Sequence, residues 1–478
     1  MLFNSLPFLF FFPLVTSLYF ITPYKWRWLL LLVASYIFYM YWRLEYIILI
    51  LISTVIDYYS GYKMSQLPDK KGRRKFLILS LIANIGLLFF FKYFNLFSDT
   101  FRQLFNFLNV PYNVPELDIL LPVGISFYTF QTLTYTIDVY QDKIKPEKHF
   151  GLFALYVSFW PQLVAGPIER AGRLLPQFRE KYDFDYNRIK GGLVRMLWGF
   201  FKKVVIADRL AIYVNAVYNS PDQHSGASIL LATYFFAFQI YCDFSGYSDI
   251  AIGAAQVMGF DLMENFRSPY FSKSVAEFWR RWHISLSTWF RDYVYIPLGG
   301  NRSSTWRWYY NLMITFLISG LWHGANWTFV IWGMLHGIYL VFSLWSQKYL
   351  EKIEGATGWR KESPLNNYLR IFITFHLVLF GWIFFRANTL TEALILIRRI
   401  FNNFGSIETV FIPNQNILLS IVLIVFLLVH EQMLKEAALD EILLRQTTWA
   451  RWTYYVSVTV LIFWFGVFTN NQFIYFQF

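Results

Sequence analysis

The chain has 478 residues, of which 56% are hydrophobic, 22% aromatic and only 15% charged, against the roughly 25% charged residues of soluble domains, so the composition argues against a soluble protein. Its net charge of +12, from 42 basic and 30 acidic residues, would suit nucleic acid, but the basic side chains lie in short connectors between apolar runs, where lipid headgroups are the matching counter-charge. The single cysteine, Cys242, leaves no internal disulfide, cysteine-rich zinc site or iron–sulfur cluster.

Runs free of Asp, Glu, Lys and Arg cover residues 1–24, 28–42, 76–91, 119–137, 151–168, 223–242, 308–347, 371–385, 409–430 and 452–478. A hydrocarbon core about 30 Å thick is crossed by about 20 mostly apolar residues in a helix. The runs are continuous and lack the alternation of barrel strands, so the spans are predicted to be helices. The expected fold is an all-α polytopic membrane protein with roughly ten to twelve hydrophobic segments, some re-entrant or interfacial. No long linker divides it, which predicts one domain over residues 1–478.

Residues 1–24 lack the basic leading region of a signal peptide and read as the first membrane helix. The connector Pro68-Asp-Lys-Lys-Gly-Arg-Arg-Lys75 is the densest basic stretch, and the positive-inside rule places it in the cytoplasm. Three spans before it would put the N-terminus outside. Further on, Pro161, Gly166 and Pro167 interrupt an apolar run that ends in Glu169 and Arg170, and Asp243, Ser245, Ser248 and Asp249 fall inside another. Broken helices at membrane depth are tolerated only where protein or a water-filled cavity receives the freed backbone.

Over residues 278–297, Trp279, Trp282, Leu286, Trp289 and Tyr293 recur at steps of three and four. This spacing predicts one interfacial helix, with its rings at headgroup depth and Arg280, Arg281 and Arg291 near phosphates. The 308–347 run is long enough for two passes, or for one pass and a re-entrant piece. None of the polar excursions could form a soluble catalytic domain, so any chemistry belongs to the membrane part. Phosphate-loop, nucleophile-elbow and zinc-helix signatures are absent, and no metal site is expected.

Of the seven histidines, His149 and His224 fall in polar connectors, and His283 and His430 read as boundary residues. His323, His336 and His376 are each embedded in an uncharged apolar segment. An ionisable side chain there is costly and faces a cavity, a partner or a substrate path; the plainer alternative is a neutral imidazole bonded to a neighbouring helix. On one continuous helix His323 and His336 would stand about 20 Å apart. His376 lies on a separate segment that can pack alongside, so a facing His323/His376 pair is predicted, able to accept and return a proton near neutral pH. Small residues bracket His323 in Ser319-Gly-Leu-Trp-His-Gly-Ala-Asn-Trp327, where a nearby chain or substrate can approach. Asn326 adds an amide that could bond a carbonyl.

Several long motifs occur in order: Trp160-Pro-Gln-Leu-Val-Ala-Gly-Pro-Ile-Glu-Arg170, Asp243-Phe-Ser-Gly-Tyr-Ser-Asp249, Phe278-Trp-Arg-Arg-Trp-His283, Arg291-Asp-Tyr-Val-Tyr-Ile-Pro-Leu-Gly-Gly-Asn-Arg302, Leu321-Trp-His-Gly324, Phe380-Gly-Trp-Ile-Phe-Phe-Arg386 and the closing Tyr475-Phe-Gln-Phe478. Together, over almost the whole chain, they resemble the membrane-bound O-acyltransferase family, and more narrowly its alginate O-acetyltransferase branch. The resemblance implies a multi-pass enzyme of the bacterial cytoplasmic (inner) membrane that moves an acyl group, acetyl in this branch, onto an exported polysaccharide or cell-wall polymer. It implies acetyl-CoA or another acyl thioester as donor, no bound cofactor, no nucleic acid, and an extracytoplasmic acetyltransferase partner that completes the transfer. The branch's essential histidine falls on His323 and the wider family's active-site histidine on His376, with Arg170, Asp243, Trp322, Asn326 and His336 as substrate- or donor-binding candidates.

One histidine would take the proton of an acceptor hydroxyl as that oxygen attacks the acyl carbonyl; an acyl-histidine on His323 is the other route. D-alanyl transfer to teichoic acid is the alternative within the family. A transporter or flippase is the alternative outside it, and would carry paired repeats with matching breaks.

Overall fold

The computed structural model describes residues 1–117, 121–164, 166–357, 363–408, 416–434, 439–468 and 473–476. Ala165 of the first motif, the openings of the 119–137 and 409–430 runs, and Gln477 and Phe478 of the last motif lie outside the described residues, as does part of the polar stretch after Gln347. Among the described residues every regular element is helical. Six helices among the described residues are long and apolar enough to cross a membrane: Leu44–Ser65, Lys70–Phe107, Gly226–Met258, Trp327–Gln347, Pro364–Arg386 and Ile417–Leu434. Leu6–Ile21 is apolar but shorter, and the predicted run at 151–168 holds a helix of only nine residues, Phe150–Ser158.

The chain divides into two compact units, Met1–Met196 with Tyr247–Met263, and Leu197–Gly246 with Glu264–Phe478.

In the first unit, three helices share a buried polar knot. Asp57 of Ile47–Ser65 is wholly buried, and it accepts from the Ser80 hydroxyl, from Asn84 Nδ2 at 2.8 and 3.1 Å, and from Thr136 Oγ1 at 3.1 Å. A carboxyl in an apolar bundle must find such donors, and here they tie the Lys70–Leu88 and Ile125–Tyr140 helices to its own. The basic connector opens the Lys70–Leu88 helix rather than a loop: Asp69 caps it by accepting from Gly72 N at 2.6 Å. Trp160 is buried among Phe3, Phe8, Phe11, Phe12 and Phe38. The predicted break follows it, because the helix that opens at Trp160 ends after four residues, at Leu163.

In the second unit, the 308–347 run makes two helices, Thr305–His323 and Trp327–Thr357. They run antiparallel at very close range. A Cβ on Gly320 would stand 2.3 Å from the Phe329 carbonyl oxygen, and one on Gly333 would stand 2.3 Å from that of Phe316. Only glycine permits this approach.

The segment predicted as one interfacial helix is two, Val275–Arg281 and Ile284–Phe290, followed by a π-helical turn at Arg291–Tyr295. His283 between them adopts φ 44°, in the left-handed region. Asn265 stabilises the break, its carbonyl accepting from Ile284 N at 2.9 Å and its side-chain oxygen from Ser285 Oγ at 2.7 Å. Trp279, Trp282, Leu286 and Trp289 are buried inside the protein, so these rings pack on protein rather than on lipid headgroups. The three-and-four spacing marks a face that packs on other helices rather than on lipid.

Candidate active site

Two imidazoles converge in the second unit. His323 ends the Thr305–His323 helix, where Gly324 turns the chain back, and is 3% exposed. Its ring meets Trp322 at 5.0 Å, Trp332 at 4.9 Å, Phe385 at 5.3 Å and Tyr475 at 5.8 Å. His283 is wholly buried. Its ring meets Phe244 at 4.6 Å, Trp322 at 6.2 Å and Tyr475 at 6.3 Å. The two histidines therefore share Trp322 and Tyr475 as neighbours and sit in one aromatic cluster, the histidine chamber. Burial pushes the His283 pKa down to about 3, which keeps this imidazole neutral, a hydrogen-bonding group rather than a charge.

Tyr475 reaches the chamber because residues 473–476 are tied down beneath it. Ile474 N donates to Asp243 Oδ2 at 2.7 Å. Asp243 Oδ1 lies 2.7 Å from Lys203 Nζ, which also holds Asp208 Oδ1 at 2.9 Å. All three charged side chains are at most 4% exposed. Lys203 sits in a π-helical stretch, Phe201–Ala207, a local irregularity often found at functional sites. Asp243 thus holds protein backbone and an ammonium rather than standing open to substrate.

Beside the chamber lies a cavity of about 620 Å³, lined by Trp279, Phe316 and Ser319 within and by Arg267, Arg280 and Arg291 among its exposed residues. Ser319 is one helical turn before His323, about 6 Å along the axis. Trp279 lines the cavity and packs on Trp332, which in turn packs on His323. Among the described residues Arg267 and Arg280 have no carboxylate partner, whereas Arg291 pairs with Asp292 at 2.8 Å. An apolar cavity edged by guanidinium groups suits a molecule with a phosphate-bearing head and a slender acyl arm.

The other predicted residues fall elsewhere. His376 does not face His323. Phe385, which does, is nine residues further along the Pro364–Arg386 helix, about 14 Å along the axis. The Phe372 carbonyl at 2.8 Å can only accept, so His376 Nδ1 carries the proton and Nε2 accepts from the Tyr234 hydroxyl at 2.6 Å. His336 is wholly buried and accepts from Trp279 Nε1 at 3.2 Å through Nδ1, a core position. The continuous helix assumed between His323 and His336 is broken at Gly324, so Trp332 touches both rings, each at 4.9 Å.

Asn326 caps the helix that follows it, accepting from Thr328 N at 3.0 Å and donating to the Asn388 carbonyl at 2.6 Å. Its amide thus bonds a carbonyl of the protein itself, that of Asn388. Trp322 is a chamber wall. Arg170 belongs to the first unit, where its guanidinium donates to Thr134 Oγ1 at 3.3 Å. His283 was the residue that the sequence pattern missed. It lies one position off the aromatic stripe, and only the left-handed turn brings it inward.

Fold and site define a multi-pass helical membrane protein with an enclosed two-histidine chamber next to an arginine-edged cavity. The chain belongs to the membrane-bound O-acyltransferase family, whose model matches residues 42–385. It is an O-acyltransferase. It is 41% identical to a probable alginate O-acetylase of Pseudomonas aeruginosa over 396 residues, 82% of this chain and 73% of the relative. It is 35% identical to a peptidoglycan O-acetyltransferase of Helicobacter pylori, over 76% of this chain and 72% of that one. A teichoic acid D-alanyltransferase of Bacillus subtilis is 28% identical, over 57% and 71% of the two chains.

Proposed function

We propose that the protein transfers an acetyl group from a thioester donor to a hydroxyl of an exported polysaccharide or cell-wall polymer, and that His323 and His283 carry the reaction. The observation that supports this assignment is the convergence of the two buried imidazoles on Trp322 and Tyr475. His323 takes the proton from the acceptor hydroxyl as its oxygen attacks the acyl carbonyl; the carbon–sulfur bond breaks and the thiolate leaves. Neutral His283 donates a hydrogen bond to the developing oxyanion, and the aromatic walls exclude the water that would hydrolyse the donor. The arginine-edged cavity holds the phosphate-bearing part of the donor, acetyl-CoA or another phosphopantetheine thioester, and its apolar depth takes the arm.

Acetyl is favoured over D-alanyl because the acetylating relatives are the more similar over more of this chain. In this reading the protein works in the cytoplasmic membrane of a bacterium, and an extracytoplasmic acetyltransferase receives or completes the transfer.

The test is ester-linked acetate on the exported glycan, compared between wild type, His323→Ala and His283→Ala at matched membrane levels. Both variants are expected to fall below a tenth of wild type. Unchanged acetylation in both would overturn the assignment.

A further inference from the structure

The chamber is closed by a stretch of chain that does not belong to any of the helices that carry the histidines. From the last residue of the Thr448–Phe465 helix onward, the described backbone is pinned at three points to residues between 204 and 243. The Phe465 carbonyl accepts from Arg209 Nη2 at 2.7 Å, Val467 N donates to the Val204 carbonyl at 2.8 Å, and Ile474 N donates to Asp243 Oδ2 at 2.7 Å. Phe473 and Ile474 are almost wholly buried. Phe244, the neighbour of Asp243, packs against His283 at 4.6 Å, Tyr475 at 4.5 Å and Phe473 at 5.5 Å. Asp243 therefore stands where the backbone of 473–476, the Lys203 ammonium and the wall of the histidine chamber meet.

We propose that Asp243 is a positioning residue: its carboxylate seats residues 473–476 so that Tyr475 closes the chamber around His283 and His323, while Lys203 holds that carboxylate in its orientation. This inference rests on the chamber being the site of acyl transfer. Both acceptor oxygens of Asp243 are used, one by Lys203 and one by the Ile474 amide, so the carboxylate couples a buried ion pair to the backbone that carries Tyr475. Asp208 provides an internal comparison. It is equally buried and pairs with the same ammonium, and removing either carboxylate leaves Lys203 with the other one. Asp243, in addition, accepts from the Ile474 amide. A purely structural ion cluster would feel the two deletions alike; a positioning residue would not.

The experiment compares full-length wild type, Asp243→Ala, Asp208→Ala and His323→Ala in detergent, reading steady-state acetyl transfer and hydrogen–deuterium exchange of the 473–476 amides. Asp243→Ala is expected to lower kcat at least tenfold with donor KM within threefold of wild type, and to speed exchange of the Ile474 amide at least a hundredfold. Asp208→Ala is expected to stay within threefold of wild type in kcat and to keep the amide protected. Equal losses in the two variants, or wild-type protection in Asp243→Ala, would overturn the proposal. If Asp243→Ala does not accumulate, Ile474→Pro removes the same hydrogen bond without touching the ion cluster; it is expected to show the same kcat loss, and wild-type kcat there would overturn the proposal. His323→Ala is expected to abolish transfer while leaving the Ile474 amide protected. Full activity in His323→Ala would instead refute the chamber as the site, whatever the exchange data show.

Discussion

Gly320→Ala probes the contact that places His323. The new methyl carbon would stand 2.3 Å from the Phe329 carbonyl oxygen, with the carbonyl carbon at 3.1 Å and Gly333 Cα at 3.2 Å. These are backbone atoms on the facing helix, so no side chain can swing aside. The two helices must part by about 1 Å to recover ordinary van der Waals separation. Overpacking of this kind costs about 1–3 kcal/mol, and in a body of 150–250 residues each kcal/mol lowers Tm by about 2–4 °C. The larger effect falls on chemistry. Trp332, one residue before Gly333, packs on His323 at 4.9 Å, so separating the helices moves the imidazole against its wall. A displacement of 1 Å in a positioned catalytic group costs on the order of 10²-fold in rate.

The assay is acetyl transfer per molecule of purified protein, with melting followed in the same detergent. Gly86→Ala is the control, since a methyl there meets nothing within 4 Å and removing a mid-helix glycine stabilises by about 0.5–1 kcal/mol. Wild-type rate and Tm in Gly320→Ala would refute the close helix contact and its bearing on His323.

Arg280→Ala and Arg291→Ala remove guanidinium groups from the edge of the cavity; each is expected to raise donor KM several-fold with kcat little changed, and an unchanged KM in both would place the donor elsewhere. Asp57→Ala leaves the Ser80, Asn84 and Thr136 donors without their acceptor, each buried unsatisfied group costing about 1–3 kcal/mol. A marked drop in melting temperature is expected, larger than in Asp57→Asn, which retains one acceptor oxygen; equal melting of Asp57→Ala and wild type would contradict the knot's role. Burial raises the Glu169 pKa to about 7 from an ordinary value of 4.5, so the folded state holds a proton that the unfolded chain releases. Stability from this group is complete below about pH 4.5 and declines as pH rises to about 7, by on the order of 3 kcal/mol. Glu169→Gln should flatten that part of the pH–melting profile, and an unchanged slope would refute the attribution.

Much of the fold is legible in the runs of uncharged residues, because a bilayer forces each spanning backbone into a helix and leaves few places for charges. The break after Trp160 and the division of 308–347 follow from visible prolines and glycines. His323 stands out as an imidazole flanked by small residues in an apolar segment. The partner imidazole does not. His376 has the same local appearance, but its own helix and Tyr234 already satisfy it, and its distance along the helix from Phe385 is a tertiary fact.

His283 is hidden for the opposite reason. The aromatic stripe from Trp279 to Tyr293 fits a continuous helix, and the left-handed turn that breaks it is stabilised by Asn265, 18 residues upstream of the turn (283 minus 265). Asp243 was visible as a carboxylate in an apolar run, but the backbone amide it holds belongs to Ile474, 231 residues away. Spacing within a motif cannot report either contact.

In the proposed reaction His283, rather than His376, works with His323. The most direct measurement is single-turnover acetyl transfer by purified wild type, His323→Ala, His283→Ala and His376→Ala in the same lipid vesicles. His323→Ala and His283→Ala are expected to lose on the order of 10²-fold or more, as for loss of acid–base or oxyanion groups, while His376→Ala stays within tenfold of wild type. A His376→Ala variant as inactive as His323→Ala, beside an active His283→Ala, would contradict this pairing.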